Sequence, residues 1–139
     1  KYAVKLFDLI HSVDSTGLAR ELDRQAEKIG KVQDVLIEVS IAGEAAKAGV
    51  EIGDAVRLVK EAAGLRHIRV LGLMTMPPLS DDPEDSRRYF RKLRDLADAV
   101  RVRDDADVAG VLEVVHDLLA IHQAPLTPGW PLTMSRLLI

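Results

Sequence analysis

Three apolar runs, each about the length of a buried strand, set the pattern of this sequence. They extend from Leu6 to Val13, from Val35 to Ser40 and from Ile68 to Leu73, and the last run continues through Met74 and Thr75. The runs are nearly continuous rather than alternating, as is typical of strands whose two faces are both covered. The pattern therefore predicts three buried strands of a parallel sheet.

An amphipathic helical pattern follows each run. Asp14 or Ser15 can cap the first helix, and Asp54 is placed to cap the second. Asp82 and Pro83 begin the third, with proline at the first helical position. The residues assigned to the buried faces and helix ends are Leu18, Leu22, Ala26, Ile29 and Gly30, then Val56, Val59, Ala63 and Gly64, then Tyr89 or Phe90, Leu93, Leu96 and Val100.

The alternation of strand and helix indicates an α/β fold. Three βα units of roughly thirty residues each imply parallel strands joined by right-handed helical crossovers. A doubly wound sheet and a (β/α)8 TIM barrel share this signature. A whole barrel takes about 250 residues, so a chain of 139 residues holds about half of one, or a small open sheet.

The alternation stops near Val100, which divides the chain into residues 1–100 and a tail of residues 101–139. The tail predicts one helix over about residues 105–122, followed by a turn-rich segment with three prolines at Pro125, Pro128 and Pro131 that is expected to be irregular. The apolar face of that helix comprises Val108, Val111, Leu112, Val115, Leu118 and Leu119. No fourth strand with a polar tip is predicted.

Composition excludes several functional classes. A net charge of −3 and the absence of a basic stripe argue against nucleic acid as a partner. No apolar run approaches the roughly 20 residues of a membrane span, and the N-terminus lacks the layout of a signal peptide. The absence of cysteine removes disulfides and thiolate sites and fits a reducing cytoplasm. We therefore expect a cytoplasmic protein that binds neither nucleic acid nor a membrane.

Candidate chemistry lies where the strands end. The first run carries His11, Ser12 and Asp14 at its end, and the second ends in Ser40. The carboxyl ends of parallel strands build the ligand sites of α/β folds. These tips therefore predict one wall of a ligand pocket.

The ordered motifs of residues 1–100 resemble the YggS/PROSC family of pyridoxal 5′-phosphate (PLP) homeostasis proteins. The resemblance rests on Ile10-His11-Ser12-Val13-Asp14, on the run from Val35 to Val39, on Gly43-Glu44, and on Gly72-Leu73-Met74-Thr75-Met76-Pro77. It implies that the three strands are the fourth, fifth and sixth of an alanine racemase N-terminal type of barrel. The implied role is that of a non-catalytic PLP carrier or regulator, with PLP-dependent enzymes as possible partners.

The resemblance also implies that this chain is incomplete. In the family, the lysine that forms the Schiff base with PLP lies on the first strand, which would precede residue 1, and the phosphate-binding segment lies at the seventh and eighth strands. Neither is recognised here, so we expect the Schiff-base lysine and the phosphate-binding segment to be absent. The chain also lacks a starting Met, and the tail departs from the family as a truncated or frame-shifted sequence would. Ser40 and Ala48 stand where the family usually has Asn and Ser.

The resemblance makes His11, Ser40 and Met74 the candidate cofactor-binding residues. His11 would lie near the pyridine ring, Ser40 would donate to PLP or to a water, and Met74 would form an apolar wall. Each has a purely structural alternative: a histidine bonded to a carbonyl, a hydroxyl that closes the loop backbone, and ordinary core. No catalytic residue and no metal ligand is predicted.

Two other functions stay open. The chain could be part of a PLP-dependent racemase-like enzyme whose remaining parts come from another chain, or a non-functional half-barrel. A half-barrel exposes two strand edges and an apolar inner face, so self-association through the sheet edges is expected.

Overall fold

The fold is a parallel β-sheet with a helix after each of its three main strands. It is seen in a computed structural model, which describes residues 2–41, 48–78, 80–103 and 137–138. The elements in chain order are α1 (Ala3–Leu6), β1 (Leu9–Val13), α2 (Thr16–Glu27), β2 (Gln33–Ser40), β3 (Val50–Glu51), α3 (Ile52–Ala63), β4 (Ile68–Met74), α4 (Pro83–Arg103) and β5 (Leu137–Leu138).

Strand β2 is the centre of the sheet, and every strand pairing is parallel. It pairs with β1 on one side and with β4 on the other, so the three strands that the sequence predicts are neighbours in chain order. The short strand β3 pairs with the last two residues of β2, Val39 and Ser40. On the far side of β1, β5 pairs with Leu9 and Ile10.

One face of the sheet packs against α2, α3 and α4 in a single hydrophobic core. On the sheet this core contains Val35, Ile37 and Val39 of the central strand, which alternate in sequence and therefore point the same way. We call this side the helix face and the other side the far face. The remaining core residues are Ile10, Val13, Ala19, Leu22, Ile41, Ala55, Leu58, Val59, Ala62, Ile68, Val70, Leu73, Leu93, Ala97 and Val100.

The first strand is shorter than the pattern predicts. The run beginning at Leu6 was expected to be strand throughout, but Ala3–Leu6 forms one helical turn and β1 begins only at Leu9. Leu6 is 61% exposed, so it contributes little to the core. Lys31 holds the turn in place, because its Nζ donates to the carbonyl oxygens of Val4 at 3.0 Å and Phe7 at 2.6 Å.

One of the three predicted helix caps is wrong, and for α2 one of the two offered residues is the cap. Ser15, not Asp14, caps α2, since its hydroxyl oxygen accepts from the backbone N–H of Leu18 at 3.4 Å. The N-cap of α3 is Glu51, and Asp54 lies inside the first turn, where it forms an ion pair with Arg57. The third prediction is confirmed, because a carboxylate oxygen of Asp82 accepts from Glu84 N–H at 2.9 Å.

Ser15→Ala is expected to lower the free energy of unfolding by about 0.5–1 kcal/mol, the lower part of the range for caps, because the bond that it removes is long and exposed. Asp14→Ala, one residue earlier, is expected to cause no loss. Urea denaturation of the two variants measures both. A loss of unfolding free energy in Asp14→Ala alone would show that Asp14, and not Ser15, caps α2.

The predicted tail helix over residues 105–122 lies outside the described residues. The tail was expected to be irregular beyond that helix, yet Leu137–Leu138 pair with β1 as β5, which the sequence did not predict. In the described part of the chain, no helix is both long enough and apolar enough to cross a membrane.

Candidate functional site

The three predicted site residues lie on three adjacent strands, towards their carboxyl ends. His11 is the third residue of five in β1, Ser40 is the last residue of β2 and Met74 is the last residue of β4. Because β1, β2 and β4 run parallel, these ends meet along one edge of the sheet. Ser40 and Met74 therefore lie at the same edge of the sheet, and His11 lies two residues before the end of β1.

The far face of the sheet carries the chemistry. Ile10 belongs to the core of the helix face, so its neighbour His11 points to the far face. Glu38 alternates with Ile37 and Val39 in the same way, and its register partner on β4 is Met74. His11, Glu38 and Met74 thus share the far face, with Ser40 two residues beyond Glu38 at the end of β2.

His11 is buried and lacks a partner for one ring nitrogen. The residue is 8% exposed, and its Nε2 forms no hydrogen bond among the described residues. Burial lowers the pKa of His11, so the imidazole is neutral at neutral pH and offers one donor or one acceptor at Nε2. Most buried polar atoms are hydrogen-bonded, so this nitrogen marks a place where a further group would be stabilised.

Glu38 is the functional candidate that sequence reasoning missed. It is 6% exposed in the middle of the central strand. Burial raises the pKa of Glu38, and the nearby carboxylate of Asp14 raises it further. Neither acid forms a salt bridge with a described residue. The available signal was a charged residue within an otherwise apolar run, because glutamate is almost never buried unless it has a partner.

Two contacts fix the ends of β2 and β4. The Thr75 hydroxyl is buried and donates to the Val39 carbonyl oxygen at 2.7 Å, which joins the chain just after β4 to the end of β2. Gly49 passes so close to β2 that a Cβ at this position would lie 2.7 Å from Ser40 N. Gly49 has a φ of +109°, a conformation that glycine adopts readily. These contacts hold Ser40 at the edge of the sheet.

The arrangement is suited to binding a small polar ring. It offers a neutral imidazole, a carboxyl group with a raised pKa, a hydroxyl and a thioether on one face. Among the described residues, no group of His, Asp or Glu is placed to hold a metal ion. Glu44 and Lys47, read from sequence as a loop clamp, lie outside the described residues.

Comparison with known proteins gives a consistent family. The family described as "Alanine racemase, N-terminal domain" matches residues 1–112. The "Pyridoxal phosphate homeostasis protein" of Aquifex aeolicus (strain VF5) is 48% identical over 101 residues, which are 73% of this chain and 44% of that protein. The protein of the same name from Synechocystis sp. is 32% identical over 97 residues, 70% of this chain and 44% of the relative.

Solved structures agree. PipY of Synechococcus elongatus, solved with PLP bound, is 30% identical and superposes with a TM-score of 0.64 over 73% of this chain and 46% of PipY. A protein from Bifidobacterium adolescentis is 34% identical with a TM-score of 0.65, over 72% of this chain and 40% of that one. The chain thus spans less than half the length of the relatives that it matches. The parallel sheet, the shared strand edge and the match over residues 1–112 show that this chain belongs to the alanine racemase N-terminal domain family.

Proposed function

We propose that this chain supplies one wall of a PLP site in a protein that binds and carries PLP without catalytic turnover. The observation that carries the proposal is the buried Nε2 of His11, which has no partner among the described residues and lies on the far face of the parallel sheet. PipY, which is 30% identical to this chain over the aligned residues, was solved with PLP bound. A neutral imidazole fits such a cofactor, because it can exchange one hydrogen bond with a ring substituent.

We further propose that β1, β2 and β4 are the fourth to sixth strands of a (β/α)8 barrel. Two observations support a barrel over a doubly wound sheet. The three strands are neighbours in chain order, and α2, α3 and α4 share one core on the helix face. A doubly wound sheet carries helices on both faces, whereas a barrel carries all of them outside. The far face would then be the barrel interior.

In this proposal the chain binds the pyridine ring side of PLP. His11 bonds a polar substituent, Met74 packs against the ring and Ser40 donates from the end of β2. When bound, PLP supplies an aldehyde that reacts with amines, and we propose that the covalent lysine and the phosphate contacts come from outside this chain. Lys31 is unsuited as the anchor, because its amine already bonds two backbone carbonyls beside α1. The recipients of the cofactor would be cytoplasmic PLP-dependent enzymes.

Binding of pyridoxine 5′-phosphate to the purified chain tests this function. This compound keeps the ring and the phosphate but lacks the aldehyde, so it cannot react with surface lysines. Equilibrium dialysis should show saturable binding that His11→Leu weakens by about tenfold, because removing one partner of a buried hydrogen bond costs about 1–3 kcal/mol.

His67→Gln is the matched control, since His67 lies just before β4, at the opposite end of the sheet. It should retain the wild-type dissociation constant. Absence of saturable binding by the wild type, or an equal loss in both histidine variants, would contradict the proposed function. With PLP itself, borohydride treatment should leave no single lysine labelled stoichiometrically. Such a lysine, located by peptide mapping, would show that the chain supplies its own anchor.

We also propose that the outer edge of β4 mediates association between copies of the chain. Among the described strands, β4 pairs only with β2, so its other edge presents backbone donors and acceptors. Sedimentation velocity should show a dimer that dissociates on dilution. A monomer at every concentration would contradict this association and leave the PLP proposal untouched.

A further inference from the structure

The far face carries an acid that the proposed function does not yet use. Glu38 is 6% exposed and lies opposite Met74 in the strand register, on the face that holds His11. It has no hydrogen bond and no salt bridge among the described residues, although a buried carboxyl group normally has one or the other. Glu38 and His11 are thus two polar side chains of low exposure on the far face, and Nε2 of His11 is a fully buried atom without a hydrogen-bond partner among the described residues.

The surroundings of Glu38 favour its protonated form. Asp14, which directly follows β1, raises the pKa of Glu38, and Met74, its register partner on β4, carries no charge. Further down the same face, Asp34 is already bonded to Arg69 at 2.7 Å and 2.9 Å. Glu51 of β3 adds a third acid near Ser40. Burial and the Asp14 carboxylate therefore favour the protonated form of Glu38 more than the surroundings of an ordinary glutamate do.

We propose that the protonated carboxyl group of Glu38 donates a hydrogen bond to the bound pyridine ring, either to its nitrogen or to the phenolic oxygen attached to it. This inference rests on the proposed function and adds a ligand-contacting residue to it. A protonated carboxyl group is a donor, whereas a carboxylate would repel an anionic oxygen and accept only from a protonated ring. The chain thereby selects ligands with an acceptor at this position.

The pH dependence follows from the direction of the pKa shift. Burial and Asp14 raise the pKa of Glu38, so the donor form persists to a higher pH than for an ordinary glutamate. Bonding an acceptor favours the protonated form again, so the ligand raises this pKa further. Affinity should therefore be greatest below the pKa of free Glu38 and fall as the pH rises through that of the complex.

The variants Glu38→Gln and Glu38→Leu distinguish the effect of the hydrogen-bond donor on ligand affinity from the effect of the carboxylate charge. Dissociation constants for pyridoxine 5′-phosphate are measured from pH 5 to 8 on the whole chain. Gln keeps an uncharged donor, so Glu38→Gln should match the wild type at low pH and exceed its affinity at high pH by about tenfold. Leu is apolar and has no donor, so Glu38→Leu should bind about tenfold more weakly than Glu38→Gln at every pH.

Dividing the wild-type constant by the Glu38→Gln constant cancels the titration of the ligand itself. Asp34→Asn, on the same face but already paired with Arg69, is the control and should follow the wild type. A ratio that does not change with pH, or a loss of affinity in Glu38→Gln at low pH, would overturn the donor role while leaving PLP binding established.

A second readout needs no binding constant. The ¹³C chemical shift of the Glu38 carboxyl carbon, assigned by its loss in Glu38→Gln, should titrate above the ordinary glutamate value of about 4.3 and move higher when the ligand is added. A titration at or below the ordinary value in the free chain, or a fall on addition of the ligand, would contradict the proposal. Failure of the wild type to bind would instead count against the proposed function.

Discussion

Gly49→Ala is expected to lower the free energy of unfolding by about 2–5 kcal/mol, which combines backbone strain with overpacking. The added Cβ would lie 2.7 Å from Ser40 N and 3.0 Å from Val39 C, both backbone atoms of the central strand that cannot turn aside as a flexible side chain does. The φ of +109° adds strain for any residue with a Cβ. Because Gly49 precedes β3, the pairing of β3 with Ser40 should be lost first.

Variants at two other glycines distinguish the cost of the close contact at Gly49 from the cost of its backbone strain. Gly30 has a φ of +63° but nothing within 4 Å of its Cβ position, so Gly30→Ala should lose only about 1 kcal/mol. Gly53 is helical with open space around it, and Gly53→Ala should gain about 0.5–1 kcal/mol. Urea denaturation gives all three values. Equal losses at Gly49 and Gly30 would show that β2 and Gly49 are not in close contact.

Leu36→Ala is expected to lower the free energy of unfolding by about 2–5 kcal/mol, the range for deleting a buried leucine side chain. Leu36 is 1% exposed and points to the far face, where its register partner on β4 is Gly72. Its burial means that the far face is covered at this position. The loss measures how well the far face, and with it the candidate site, is closed in solution.

Ile52→Ala is the control, because Ile52 is 42% exposed and should lose less than about 1 kcal/mol. Ile37→Ala, with an equally buried side chain on the helix face, should lose about as much as Leu36→Ala. If Leu36→Ala behaved like Ile52→Ala, the far face would be open to water, and the burial of His11 and Glu38 would not hold in solution.

The sequence predicts the parts of the fold that depend on hydrophobic pattern. The apolar runs at Val35 to Ser40 and Ile68 to Leu73 each lie within a strand of the structure. The Asp82–Pro83 start of α4 is also confirmed, because proline at the first helical position is a strong local signal. The family resemblance is confirmed by the match over residues 1–112.

Features that depend on distant contacts could not be read from the sequence. The choice of Ser15 over Asp14 as cap is a difference of one residue between two good capping side chains. Strand β3 forms because the chain returns to the end of β2, a long-range contact that requires Gly49. The prediction that the first strand begins at Leu6 was wrong, because a short helical turn and a strand have similar apolar content over so few residues.

The candidate site, like the fold, could be predicted from the sequence only in part. His11, Ser40 and Met74 were chosen for their places near strand ends, and the structure puts Ser40 and Met74 last in their strands and His11 in the middle of β1. That they bind PLP stays a prediction. Glu38 was overlooked because strand alternation alone cannot say whether the far face of a parallel sheet is buried. Its importance follows only from its low exposure and from the neighbouring Asp14.

The central claim is that the far face, where the strands end, is the wall of a PLP site. It is tested most directly by following the ¹⁵N and ¹³C resonances of the chain during titration with pyridoxine 5′-phosphate. Saturable shifts concentrated at His11, Glu38, Ser40 and Met74 are expected, with one dissociation constant common to all four. Shifts confined to exposed lysines and arginines, with His11 and Met74 unmoved at saturation, would contradict it.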